Sequence, residues 1–397
     1  MDYTATGKHP PSMSLSALFL KFLRFGFLAF GGPVAQIAML REALVEEERW
    51  IDRSRFNKLL AILQVLPGPE AHELCVHFGI VARGRIGGLL AGLGFMLPGF
   101  ALMLLAGWIY VTWIAGHGLW SGPLLGVQIA VLAIILRAVF RIGEHILIDR
   151  LTWAIALISA LLTLTNMPFW LPLIAAAAIY AFAQRPYLAI AVAIFTAGLA
   201  ACLYMLPGGQ AALTISHEPS TVIALFIAGL KGGLLTFGGA YTAIPYVRAD
   251  TVGRGWLSDA TFLDGIALAG ILPAPLVIFA TFVGYVSGAL PGALAITAGM
   301  FLPAFAFSLI FYERLEAIVD HPALQKALEG VAAAVVGIIA ATFLQLGKAA
   351  WLRVPSLPMA LTLFCFALIA AWRLKGMWVT PAILVFGALV GAASSLW

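Results

Sequence analysis

Charged side chains are scarce in this chain. Aspartate, glutamate, lysine and arginine make up 10% of its 397 residues, against about 25% in an ordinary soluble domain. Hydrophobic residues make up 62%, and the mean hydropathy is +1.01. That leaves too little polar surface to face water on all sides, which excludes a soluble globular protein. Cysteine is rare too. Cys75, Cys202 and Cys365 lie far apart, so neither a disulfide framework nor a cysteine metal site is expected. No G-x-x-x-x-G-K-[ST] stretch occurs, so the chain lacks a P-loop for hydrolysing ATP. Low-complexity segments are missing, and no cofactor motif is present. The first dozen residues are polar, with no cleavable signal pattern, so the first apolar run is expected to remain as a membrane segment. The net charge of +5 fits basic cytoplasmic loops better than nucleic-acid binding.

Apolar length is what the chain has in excess. Residues 86–105 and 189–206 are each long enough to cross roughly 30 Å of hydrocarbon. About thirteen apolar segments can be counted, more if the short ones are separated. The expected fold is an all-α polytopic membrane protein.

The sequence also repeats itself. Residues 24–41 read RFGFLAFGGPVAQIAMLR and residues 231–248 read KGGLLTFGGAYTAIPYVR. The phenylalanine, both glycines, an isoleucine and the flanking basic positions coincide at an offset of 207 residues. The echo continues from Trp50-Ile51 to Trp256-Leu257, from Leu66-Pro67-Gly68-Pro69 to Leu272-Pro273-Ala274-Pro275, and from Phe95-Met96-Leu97-Pro98 to Met300-Phe301-Leu302-Pro303. Duplication in so apolar a chain marks a transporter with its substrate site between the repeats, on broken helices. We read residues 1–186 as the first repeat, 187–220 as a bridging transmembrane helix and loop, and 221–397 as the second repeat.

Basic residues suggest orientation. The loop at 34–58 carries Arg41, Arg49, Arg53, Arg55 and Lys58, whereas its copy at 241–260 carries only Arg248 and Arg254. Arg83 and Arg85 have no basic counterpart between Gly288 and Leu290. By the positive-inside rule the first-half loops are cytoplasmic and their copies are not. The repeats are then inverted, and the unpaired bridging helix supplies the odd crossing. Residues 59–82 must also enter and leave on one side, as a re-entrant hairpin with Pro67-Gly68-Pro69 at its tip. Residues 15–45 would do the same around Gly31-Gly32-Pro33. Ordinary kinked helices are the alternative.

Four glycine–proline tips are the first candidate site: Gly31-Gly32-Pro33, Pro67-Gly68-Pro69, Gly238-Gly239 and Pro273-Ala274-Pro275. Each puts a breaker before a new apolar segment, exposing backbone N–H groups at a helix N-terminus, which suits an anion. Arg24 and Lys231 are equivalent by the repeat, and a cation inside a membrane segment is costly enough to have a task. Binding an anionic substrate is one such task, and snorkelling to the interface is the other. Arg41 is expected in an ion pair with a nearby glutamate. The densest polar cluster is residues 69–77. Opposite Glu70, His72 and Glu73 the second half has Leu276, Ile278 and Phe279, so the fold does not need these ionisable groups. Gating or proton coupling is their expected role, with Glu70, nearest the tip, dominant. A metal site from His72, Glu73 and His77 is disfavoured. Arg137, Arg141 and Glu144 read as a helix end with a local ion pair.

The stretches at 30–41, 47–75 (EERWIDRSRFNKLLAILQVLPGPEAHELC) and 82–100 (ARGRIGGLLAGLGFMLPGF) resemble the chromate ion transporter family, specifically its long-chain, two-domain bacterial members. The resemblance covers nearly the whole chain. It implies secondary active export of chromate across the bacterial cytoplasmic membrane, chromate resistance, and sulfate as the natural competitor. A homo-oligomer is compatible with it. Ala240 and Ala274 replace the proline and glycine of the first-half tips, so the first half is expected to contribute more to the site. The rival readings are transport of sulfate or another tetrahedral oxyanion, an intramembrane enzyme using Glu70, His72 and Glu73, and a passive anion channel.

Overall fold

The computed structural model describes residues 13–63, 66–165, 167–205, 219–237, 239–310 and 322–394. Among them are fifteen α-helices, some short π and 3-10 turns, and no strand. The first run of helices is α1 (Leu15–Phe27), α2 (Gly32–Arg41), α3 (Arg53–Leu63), α4 (Glu70–Ile109), α5 (Ser121–Ile146), α6 (Arg150–Leu164), α7 (Trp170–Ala181) and α8 (Pro186–Met205). The second is α9 (Val222–Leu234), α10 (Ala243–Thr251), α11 (Asp259–Ile271), α12 (Phe279–Ile310), α13 (Pro322–Trp351), α14 (Leu357–Arg373) and α15 (Val379–Ser394).

Local chemistry sets the helix starts. The Ser14 hydroxyl accepts from the Ala17 N–H at 3.2 Å and opens α1. The Thr221 hydroxyl accepts from the Ala224 N–H at 3.1 Å and opens α9. Such caps satisfy backbone donors that the first helical turn leaves unpaired. Helix α2 instead starts at Gly31, which holds a left-handed φ of 83°, and carries proline in its first turn.

Helices α4 and α12 are not straight. In α4 the backbone breaks at Arg83 (φ −146°, ψ 29°) and Gly84 (φ 65°, ψ −164°), and in α12 at Gly288 (φ −155°, ψ 26°) and Ala289 (φ 51°, ψ −151°). In a straight helix Val76 and Gly92 would lie about 24 Å apart. Here a Cβ placed on Gly92 would fall 2.7 Å from Val76 Cγ2, and one on Gly79 would fall 2.4 Å from the Gly87 carbonyl. Residues 70–82 and 85–109 are therefore two antiparallel arms joined by a two-residue reversal. In α12 a Cβ on Gly284 would lie 2.5 Å from the Gly292 carbonyl, so residues 279–287 and 290–310 form the same hairpin.

By length and composition, four stretches could cross a membrane: Glu70–Ile114, Gly118–Ile146, Leu276–Ile310 and Gln325–Trp351. In the first and third, only the second arm of the hairpin can make the crossing. Helix α3, with 11 residues, is about 16 Å long and too short to span. Shorter apolar helices make up the rest. Trp153, Ile194 and Leu361 are exposed on them, as suits a surface facing hydrocarbon.

At the centre α4 packs against α12, flanked by α1 on α4 and α9 on α12. The outer helices then cross over: α5 packs against α14 and α15, and α13 packs against α6 and α7. Small residues allow these approaches, as is usual where no hydrophobic force drives helices together in lipid. A Cβ on Gly126 of α5 would lie 2.0 Å from the Gly387 carbonyl of α15. Phe22, Trp50, Phe56 and Phe78 fill a core under the first-half loop. The loop after α2 carries a cluster of paired charges. Glu46 accepts from Arg41 at 3.3 Å and also pairs with Arg53. The Arg53 hydrogen bond holds its carboxyl below the usual carboxylate range. The ion pair expected of Arg41 is thus found.

Candidate functional site

Two of the tips meet. Gly31, Gly32 and Pro33 from the first half and Gly239 and Ala240 from the second line one cavity of about 560 Å³. Gly238 lies outside the described residues. Glu70, at the start of α4, forms part of the same wall, and Arg137, Arg141 and His145 enter from α5. Tyr241 follows the second tip, and Glu329 of α13 lines the cavity as well. Helix α2 begins in this wall with no side-chain cap on its first N–H groups. Its N-terminus therefore presents a partial positive charge to the cavity.

Cross-half hydrogen bonds hold the tips in place. The buried Gln36 side chain donates to the Ala29 carbonyl and to the Ala274 carbonyl, both at 2.8 Å. The Gly68 N–H donates to the Thr236 carbonyl at 2.9 Å. The Gln36–Ala274 and Gly68–Thr236 bonds each tie one half to the other, and buried polar groups satisfied in this way specify one arrangement.

The other sequence candidates are placed less uniformly. Pro67, Gly68 and Pro69 are buried beside Glu70 but do not line the cavity. Glu73 is fully buried, and neither carboxylate oxygen has a hydrogen-bond partner. A Cβ on Gly68 would lie 2.7 Å from Glu73 Oε1, so the tip glycine leaves room for that carboxyl. His72 is wedged between Phe301 and Phe305, with ring centroids 5.0 and 4.6 Å away. Its ring nitrogens make no hydrogen bond of normal geometry, with only a weak approach to the Gly92 backbone.

Arg24 and Lys231 are not brought to the cavity. Each sits in the last turn of its helix, α1 or α9, where a cation complements the helix C-terminus. Arg24 is exposed. Lys231 Nζ lies 3.2 Å from Asp250, so its charge is already paired. The reading of Arg137 and Arg141 as a local helix-end ion pair is also corrected. No ion pair joins either of them to Glu144 among the described residues, and both side chains line the cavity. Their i, i+4 spacing puts both guanidinium groups on one face of α5, and that face meets the tips. Two arginines four apart in an apolar run were the available signal.

A second polar network was not foreseen. Asp264 of α11 accepts from the Tyr110 hydroxyl at 2.8 Å and from the Gln128 amide at 2.7 Å, and Gln128 in turn accepts from Arg353 at 3.2 Å. All of the Asp264 oxygens are thus satisfied, and it bolts α11 to α5.

Comparison with known proteins gives consistent matches. The chromate transporter family profile matches residues 16–182 and 223–392. A chromate transport protein of Pseudomonas aeruginosa is 55% identical over 373 residues, covering 92% of this chain and 89% of that protein. One from Cupriavidus metallidurans is 31% identical over 366 residues, 91% and 90% of the two chains. A probable chromate transport protein of Synechococcus elongatus is 30% identical over 387 residues, 96% of each. No solved structure matches.

Proposed function

The chain belongs to the chromate transporter family, and from that membership and the cavity we propose that it exports chromate from the cytoplasm as a secondary active transporter. It is a multi-pass membrane transport protein and not an enzyme. Export would confer chromate resistance on a bacterium carrying it in its cytoplasmic membrane. One observation carries the site reading: two backbone tips, from opposite halves of the chain, converge on a cavity that also holds Arg137 and Arg141.

Chromate is a tetrahedral dianion. The N-terminus of α2 and the backbone around Gly239 supply N–H groups, and the two arginines supply full charges with several donors each. Together they replace the water that the dianion sheds on entering the membrane. Gly31, Gly32, Pro33 and Gly239 form the cradle, with Pro67, Gly68 and Pro69 behind it. The task expected of Arg24 and Lys231 passes to Arg137 and Arg141. These donors read charge and tetrahedral shape, which sulfate shares, so sulfate competes.

The repeats support alternating access. The family profile covers two stretches of similar length, and the reversals at 83–84 and 288–289 have matching backbone angles. The basic loops of the first half favour an inverted pair, with α8 as the odd crossing. In that topology α5 runs outward-to-inward, so Arg141, His145 and Glu329 mark a cytoplasmic mouth. A dianion leaving a negative-inside cell gains about 4.6 kcal/mol at 100 mV, from about 2.3 kcal/mol per charge. The potential alone can therefore drive export.

The test is chromate flux in proteoliposomes with sulfate as competitor. Arg137→Gln and Arg141→Gln should each lower flux about 10- to 100-fold, the worth of one charged hydrogen-bonding group. Lysine at either position should retain part, because it keeps the charge and loses the fork. Arg24→Gln should transport like the unaltered protein. If Arg24→Gln abolished flux while Arg141→Gln did not, the site would have to be moved to α1.

A further inference from the structure

Glu70 and Arg141 line the same cavity wall, and the charge of Arg141 is the one from outside its own helix that acts on Glu70. Directly behind, Glu73 is wholly buried with both oxygens unpartnered, and Glu70 is the charged group that acts on it. The cavity therefore holds its own carboxylate against its own arginine, with a second carboxyl in reserve. From this arrangement we infer that Arg141 is the counter-charge of Glu70 in the empty cavity and of the oxyanion in the loaded one, so that each oxyanion bound brings one proton onto the Glu70–Glu73 pair. The inference rests on the cavity being the oxyanion site.

The surroundings restrict where that proton can go. On its own arm Glu73 has Glu70, His72 and His77 as titratable neighbours in sequence. His77 lies in the field of Arg55 of α3, and His72 is enclosed by Phe301 and Phe305. The facing stretch of α12 offers Phe301, Ala304, Phe305 and Ser308, none of which titrates near neutral pH. From α5 come Arg137, Arg141 and His145, from α13 Glu329, and after the second tip Tyr241, all lining the same cavity. Arg141 is the one whose charge acts on Glu70, and a proton taken by His145 or Glu329 instead would persist in Glu70→Gln. An ionised carboxylate without partners is too costly to keep at the Glu73 position, so that carboxyl cannot take over the charge that Glu70 gives up. When the dianion takes Arg141, Glu70 loses its counter-charge and gains a doubly negative neighbour. Like charges at such distance do not both persist in a water-poor site. Glu70, which alone of the pair faces the cavity, takes a proton from cytoplasmic water: carboxylate plus H⁺ gives carboxylic acid, with no other bond made or broken. By linkage, protons must then favour oxyanion binding to the same degree. One cycle would carry one dianion and one proton outward, moving a net single negative charge.

The second half lacks the device. Leu276 and Phe279 stand where the first half has Glu70 and Glu73, so the pair belongs to function and not to the repeat's scaffold.

The experiment adds chromate, in weakly buffered and mildly alkaline solution where it is the dianion, to purified full-length protein in detergent. Bound chromate and proton uptake are measured together, the latter with a pH indicator. The unaltered protein should take up about one proton per chromate bound. Glu70→Gln should bind chromate with uptake close to zero and with an affinity that no longer varies with pH. Chromate binding by the unaltered protein without proton uptake would overturn the inference and leave the transport reading standing. So would uptake persisting in Glu70→Gln. Absence of any chromate binding by the unaltered protein would overturn both readings. The unaltered protein decides the matter even if the variant fails to fold.

Discussion

Gly68 shows how tightly single residues constrain this site. Its φ of 148° is one that side-chain-bearing residues rarely adopt, and a Cβ there would meet the Glu73 carboxyl at 2.7 Å. Gly31, at φ 83°, would drive a Cβ to 2.7 Å from Met377 Cα. Alanine at either position carries a backbone strain of about 1–3 kcal/mol, with a collision in addition. We predict that Gly68→Ala and Gly31→Ala both lose most chromate flux. Gly347→Ala is the control. It has open space around it inside α13 and should keep full flux, with stability equal or slightly raised because alanine favours helix. Equal flux in all three would mean that the tips are not part of the pathway. At this scale the sequence was a partial guide. The tips and Glu70 could be read because glycine, proline and a carboxylate are conspicuous in apolar runs. Arg24 fitted two readings in the sequence, substrate binding and snorkelling, and the structure places it exposed in the last turn of α1, away from the cavity. Arg137 and Arg141 read as a local helix-end ion pair because their neighbours at the cavity lie about a hundred residues away in the chain.

At the centre of the fold the decisive elements are the two reversed hairpins, α4 and α12, which pack against each other. Their arms close on each other only because Gly79, Gly87 and Gly284 carry no side chain at the contact. In Gly87→Val the new side chain would collide with the Gly79 carbonyl, which lies 2.4 Å from the Cβ position. We predict that Gly87→Val shifts most of the protein from a single size-exclusion peak into aggregate. Gly143→Ala, whose Cβ would find ordinary contacts at 3.6 Å, should elute normally. A normal profile and normal flux for Gly87→Val would argue against the antiparallel arms. The first reversal was legible, since Arg83-Gly84-Arg85 interrupts the apolar pattern with charge. The second was not legible by itself. Gly288-Ala289-Leu290 has no charge, and only the repeat marks it. The exchange of α5 and α13 between halves left no trace in the sequence either, because hydrophobic periodicity records which face of a helix is buried and not what covers it.

At the scale of the whole molecule, the proposal is a duplicated scaffold set in opposite senses in the membrane. Ser54 and Ser258 are both exposed, at the starts of the corresponding helices α3 and α11. With the exposed Cys202 and Cys365 replaced by serine, Ser54→Cys should react with an impermeant thiol reagent only from the cytoplasmic side and Ser258→Cys only from the outside. Reaction of both from one side would make the repeats parallel. The function itself is tested most directly by chromate movement against its own gradient. Proteoliposomes of the unaltered protein, holding equal chromate on both sides, are given a potassium diffusion potential. Chromate should collect on the positive side, reversing the potential should reverse the direction, and Arg141→Gln should do both about 10- to 100-fold more slowly. No redistribution by the unaltered protein under either sign of potential would contradict the proposal.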